Sequence, residues 1–258
     1  MSAQAQSILD QLRVVTEQRK LRALNPSLDA GVLAVKTYQH QRFQHTYADL
    51  LADPKYAKAA RFFLEELYGP HDFIRRDTQF ARVVPALVRL FPIEIVLTVK
   101  ALADLHALSE RLDTATGLAL ADNQIDASSY AAAWCAVGRE SERKQQIMLT
   151  RQVGMALDAY TRKPLLRHTL RLMRGPARAA GLSELQTFLE LGFDTFREMR
   201  DAKPFLDIIV ARESAFARKL FAPLHSGSAG DSPGLTSICI GDEPHTFAGI
   251  TLCGEKTR

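Results

Sequence analysis

Tyr56, Ala59, Ala60, Phe63, Leu64 and Leu67 recur at intervals of three and four, which predicts a helix with a single apolar face. Asp53 before Pro54 supplies its start signal and Gly69-Pro70 its stop. The stretch FFLEELYGPHDFIRRD, residues 62–77, therefore reads as a helix end, a corner, and a new helix capped by Asp72. Arg75 and Arg76 at the start of that helix oppose its dipole, which calls for acidic partners such as the nearby Glu65 and Glu66.

Similar punctuation predicts the rest. Pro92 opens a long helix to about Ala121, with Ile93, Leu97, Ala101, Leu105, Leu108, Leu112 and Ala115 along one side. Asp126 caps a segment holding Tyr130 and Trp134, and residues 139–163 continue the helical period. Pro164 starts a short helix that Gly175-Pro176 ends, and Ser183 with Gln186 forms a capping box for the next. Pro204 opens the last helix, to about Phe221. VGMALDAYTRKPLL and LGFDTFREMRDAKPFL share a mid-helix glycine (Gly154, Gly192) and a later Lys-Pro restart. They are either a duplicated hairpin, with each glycine admitting a close neighbour, or a coincidence of two copies.

After Pro223 the period disappears. HSGSAGDSPG has linker composition, and LTSICI and TFAGITLC read as short strands about the turn GDEP. The expected fold is all-α: a multi-helix bundle of seven to nine helices over residues 1–222. A linker and a short non-helical tail follow over 223–258, either a β-hairpin or unstructured.

At 258 residues and 47% hydrophobic, the chain can bury a sizeable core. Its net charge of +4 is uneven: residues 139–178 carry ten Lys/Arg against three Asp/Glu, a net +7, which leaves −3 for the remainder. Cys135, Cys239 and Cys253 lie too far apart to suggest a disulfide framework. The opening MSAQAQSILDQLRVV has no basic segment leading into an apolar one, and no apolar run is long enough for a membrane span. These features lead us to expect a cytoplasmic protein.

The patterns of several enzyme classes are missing. No Glu has a His three residues later, as di-iron carboxylate bundles require, and the phosphate-loop, dinucleotide, zinc-protease and nucleophile-elbow motifs are absent. His40 and His45 are five apart and misaligned for a shared ligand on a helix face. Cys239, His245 and Cys253 match no common zinc spacing and lack a fourth ligand. No metal and no cofactor is expected.

Charged residues on apolar phases are more informative. Phe73, Asp77, Phe80, Val84, Leu87 and Phe91 share a stripe; His106, Glu110 and Asp113 flank the apolar side of the long helix. Arg143 and Gln146 lead into Leu149 and Val153, and Arg212 lies between Ile208/Ile209 and Phe216. Burying any of these charges alone costs several kcal/mol, so they are expected to pair, Asp77 with Arg143 or Arg212. Such a network is either structural or the lining of a pocket for a small anionic or polar ligand. Lys163, Arg167, Arg171 and Arg174 form a basic ridge opposite Leu166, Thr169, Leu170 and Met173. A solvated face is the preferred reading; an anion or nucleic-acid site is the lesser one, because no aromatic residues interleave.

FFLEELYGPHDFIRRD, ARVVPALVRLFP, LHALSERLD, RKQQIMLTRQVGMALD and LMRGPARAAGLSELQTFLELGFDTFREM resemble a family of uncharacterised proteobacterial proteins with an FFLxxLYGPxDFxxRD-like signature. The resemblance covers about residues 45–220. It implies a bacterial all-α protein and carries no assigned activity or catalytic residues. Two functions remain open. The first is a non-enzymatic scaffold or regulatory protein that binds a protein partner or assembles as a homo-oligomer. The second is a ligand-binding or catalytic bundle. A closed cavity of several hundred Å³ at Asp77, His106, Asp113, Arg143 and Arg212 favours the second, and fully paired charges without a cavity the first.

Overall fold

A computed structural model describes residues 2–67, 69, 73–120 and 125–225 of the chain. Ser2 caps α1 (Ala3–Ala23), and Asn25 with Pro26 opens α2 (Pro26–Thr46). The short α3 (Ala48–Ala52) turns the chain into α4 (Ala57–Phe62), which a π-helical turn, Phe63–Leu67, extends. Then follow α5 (Ile74–Leu90), α6 (Ile93–Ala119), α7 (Ala127–Val137), α8 (Glu140–Thr161), α9 (Pro164–Leu172), α10 (Arg174–Ala179), α11 (Ser183–Met199) and α12 (Lys203–His225). The described residues are helical throughout, with no strand among them, but in more segments than the seven to nine expected.

The long, apolar α6 is the axis, packed by α1, α2, α7 and α8. The helices bury three apolar clusters. One joins Phe43, Tyr47, Phe62, Phe63, Phe196, Phe205 and Leu206. The second joins Tyr38, Tyr130, Trp134, Leu220 and Phe221, and the third sets Ile8 and Leu12 against Val84, Val96 and Ala103. Among the described residues no helix is long and apolar enough to cross a membrane.

Local punctuation is modified where tertiary contacts compete with it. Asp53 caps only a turn, its Oδ1 accepting from the Lys55 amide at 2.8 Å, and α4 begins four residues later at Ala57. Gly175-Pro176 does not stop the chain from being helical. It lies in the first turn of α10, where a missing amide hydrogen leaves no bond unmade. Ser183 is the first helical residue of α11 and makes no cap. The Leu185 amide instead donates to Gln79 Oε1 of α5 at 2.9 Å, and the Gln186 amide group reaches the Leu170 carbonyl at 2.6 Å.

Gly154 and Gly192 both stand where helices meet. A Cβ on Gly154 would lie 2.6 Å from Leu206 Cδ2, and one on Gly192 3.1 Å from Phe62 Cζ. The Asp72 cap, the strands of the tail and the residues Cys239, His245 and Cys253 lie outside the described residues.

Candidate functional site

The helical period of α6 sets His106, Glu110 and Asp113 on adjacent turns, facing charges from α1, α2 and α5. Glu110 is 5% exposed and lies 2.7 Å from Arg22 Nη1, 2.8 Å from Lys36 Nζ and 4.0 Å from Arg19 Nη2. Burial by itself would raise its pKa, but Lys36 and Arg22 outweigh that and hold the carboxyl down to about 2. Asp77 Oδ2 accepts from Arg19 Nη2 at 2.7 Å and lies 2.8 Å from His106 Nε2. Burial opposes its ionisation as well, and the His106 and Arg19 contacts override it, so its pKa is lowered. Because a carboxylate only accepts, His106 Nε2 carries the shared proton, and Nδ1 is the ring nitrogen left for another partner.

Asp113 behaves differently. Its Oδ1 accepts from the neutral Gln39 amide at 3.0 Å, and burial pushes its pKa up. Gln39 also donates to the Tyr130 hydroxyl at 3.3 Å, tying this end of the network to α7.

These groups close one end of a cavity of about 200 Å³ between α5, α6, α8 and α11. Phe80, Val83 and Leu87 of α5, Val99, Leu102 and Leu105 of α6, and Leu185, Phe188 and Leu189 of α11 make its apolar walls. Asp77 and Leu87 are ten residues apart on α5, so the lined length is about 15 Å at 1.5 Å per residue. The charged end lies at Asp77 and His106; the apolar end runs toward the α5–α6 corner. The FFLEELYGPHDFIRRD stretch contributes Glu66, Leu67, Gly69, Phe73, Arg76 and Asp77 to the lining. Arg76 Nη1 donates to the Glu66 backbone carbonyl at 3.3 Å and to its Oε2 at 3.2 Å, while the more exposed Arg75 pairs with Glu184 at 3.4 Å.

Five of the seven residues expected in an inner polar network line this cavity: Asp77, His106, Glu110, Asp113 and Gln146. Arg143 is buried but sits behind it, bonded through Nη2 to Thr116 Oγ1 at 3.0 Å and through Nη1 to Gln146 Oε1 at 3.2 Å. Its guanidinium lies 4.1 Å from the centroid of the Trp134 ring, and it lines a second cavity of about 40 Å³. Arg143 is therefore not the partner of Asp77; Arg19 is.

Arg212 is no pocket residue either. The phase of α12 turns it to the α2–α3 corner, where it bonds Asp49 through two oxygens at 2.7 Å each and the Thr46 carbonyl at 2.7 Å.

The basic ridge is partly neutralised by α11: Arg167 pairs with Asp194 at 3.1 Å, and Arg174 with Glu190. Lys163 and Arg171 stay exposed, as do Leu165, Leu172 and Met173, while Leu166, Thr169 and Leu170 are half-buried. His45 is exposed and bonds the Gln41 carbonyl, and His40 sits near Gln44; no group of three metal-ligating side chains occurs among the described residues.

The sequence reading overlooked Arg19, Arg22, Lys36 and Gln39. For Arg19, Arg22 and Gln39 a signal was available. Ile8, Leu12, Val15, Arg19 and Arg22 form one helical stripe, as do Leu28, Val32, Val35, Gln39 and Arg42, so polar residues end both apolar faces.

The family described as "Domain of unknown function (DUF8198)" matches residues 18–226. No curated protein and no solved structure matches the chain.

Proposed function

The chain belongs to the DUF8198 family, and we propose that it binds a small amphiphilic molecule between α5, α6, α8 and α11. The observation that carries this reading is the cavity of about 200 Å³, with apolar walls along its length and charges gathered at one end. A scaffold that used these charges only to fix helix register would pack the space between them. An engineered apolar cavity of about 150 Å³ accepts benzene, which scales to a ligand of roughly eight non-hydrogen atoms here, more if a chain end protrudes. The apolar walls would hold the tail by burial, and the polar end would set orientation. Ion pairs at that end support a binding role over a merely structural one because they border open space. Partner binding or self-assembly, the other expectation, draws support from the exposed apolar residues Leu165 and Leu172 on α9 and Met173 just after it.

Native mass spectrometry of the protein from its own host should show a retained small molecule. Octanol should raise the melting temperature of the stripped protein, and Leu102→Trp, which fills the cavity, should abolish that shift while leaving helicity unchanged. If the shift persists undiminished in a folded Leu102→Trp variant, the ligand sits elsewhere.

A further inference from the structure

Arg76 occupies the first turn of α5, where the helix dipole disfavours a cation. Its guanidinium carbon lies 3.9 Å from the centroid of the Phe73 ring and 4.4 Å from that of Phe188, so two aromatic residues fix its position. Nη1 is committed to Glu66. Nε and Nη2 meet no hydrogen-bond acceptor among the described residues, and the side chain lines the cavity. A guanidinium offers a rigid fork of donors that matches a planar carboxylate through two parallel bonds.

The surrounding charges balance in number but not in pairing. Four permanent cations stand at this end: Arg19, Arg22, Lys36 and Arg76. The carboxylates are Glu66, Asp77, Glu110 and Asp113. Asp77 and Glu110 draw Arg19, Arg22 and Lys36, and Asp113 bonds the neutral Gln39 rather than a cation. Burial lowers the pKa of Arg76 in spite of Asp77 and Glu66, and pushes that of Asp113 up. Of the two cations that line the cavity, Lys36 lies 2.8 Å from Glu110, whereas Arg76 meets Glu66 through Nη1 alone and keeps its Nε–Nη2 edge open.

We infer that the amphiphile bound here carries a carboxylate head group, received by the free edge of Arg76, with its apolar tail directed along α5 and α6 toward Leu87 and Val99. This rests on the ligand-binding reading above and gives it a chemical class, a monoanionic medium-chain or aryl carboxylic acid. A single guanidinium edge suits one planar monoanion.

Calorimetric titration of the full chain with octanoate, 1-octanol and octylamine tests it, because the three share one tail and differ in head group. Octanoate should bind at least about tenfold more tightly than octanol, the scale of a charge-assisted bond pair, and octylamine most weakly. In Arg76→Gln the octanoate preference should vanish while octanol binding persists, which also reports that the cavity is intact. If Arg76→Gln fails to fold, Arg76→Lys keeps the charge without the fork, and the octanoate-to-octanol ratio should still fall. Octanol binding as tightly as octanoate to the unmodified chain would overturn the head-group assignment and leave the cavity reading standing. Failure of all three to bind would overturn the cavity reading itself. A full preference retained in a folded Arg76 variant would remove Arg76 from the site.

Discussion

Glu110 and Asp113 stand less than a turn apart on α6 and are held by opposite means, cations for one and a neutral amide for the other. The folded pKa of Glu110, about 2, lies below its ordinary 4.5. The stability it adds is complete above the ordinary value and is lost as pH falls toward the folded one. Asp113 has a raised folded pKa, so the stability from its protonated form is complete below its ordinary 3.8 and is lost as pH rises through the folded value. Glu110→Gln strands Arg22 and Lys36 and should cost about 3–5 kcal/mol in urea unfolding at neutral pH. Asp113→Asn removes a charge that burial opposes and keeps an acceptor for Gln39, so it should leave stability unchanged or raise it. A neutral Glu110→Gln together with a destabilising Asp113→Asn would reverse this assignment of the two carboxylates. The reason Glu110 was recognisable as inward-facing is its phase on α6. The pairing itself was not legible, because Arg22 and Lys36 reach it from 88 and 74 residues away in the chain.

At the scale of elements, α4 shows how packing adjusts a helix. Phe62, Phe63 and Leu64 are all buried, which one α-helical stripe cannot achieve with three consecutive residues. The wider π turn from Phe63 to Leu67 shifts the phase, admits all three to the core and brings Glu66 and Leu67 to the cavity. The simple period over residues 56–67 predicted the helix but not this turn. Glycines offer the test at this scale. Gly154→Ala forces a methyl to within 2.6 Å of Leu206 on α12 and should cost about 1–3 kcal/mol. Gly175 in α10 has nothing within 4 Å of the added Cβ, so Gly175→Ala should stabilise by up to about 1 kcal/mol through helix propensity. Thermal unfolding of the two variants checks both, and equal shifts would mean that the α8–α12 contact is looser than described. Capping was the least transferable local signal. Asp126 and Ser129 cap α7 reciprocally, whereas the Ser183 box gave way to Gln79 from another helix.

For the whole molecule, we propose that residues 1–225 fold without the tail, since three apolar clusters each join several helices within that range. A chain ending at His225 should show an all-helical circular dichroism spectrum and one cooperative thermal transition. Substantial strand signal, or loss of cooperativity, would overturn that division. What the sequence determined by itself was whatever depends on near neighbours along the chain. The apolar period made the helices, Pro92 and Pro164 opened two of them, and stripe phase marked Asp77, His106, Glu110 and Asp113 as inward-facing. These are interactions within three or four residues, where spacing alone fixes geometry. Tertiary structure decided which inward charges meet. Asp77 found Arg19 rather than Arg143 because α1, not α8, supplies the cation beside it, and Arg212 turned to Asp49 at a different corner. It also decided that α5 and α11 stand off from α6 far enough to leave a cavity. A void belongs to several helices at once and to no residue spacing, so its existence and the arginine edge that faces it could emerge only when the helices were packed.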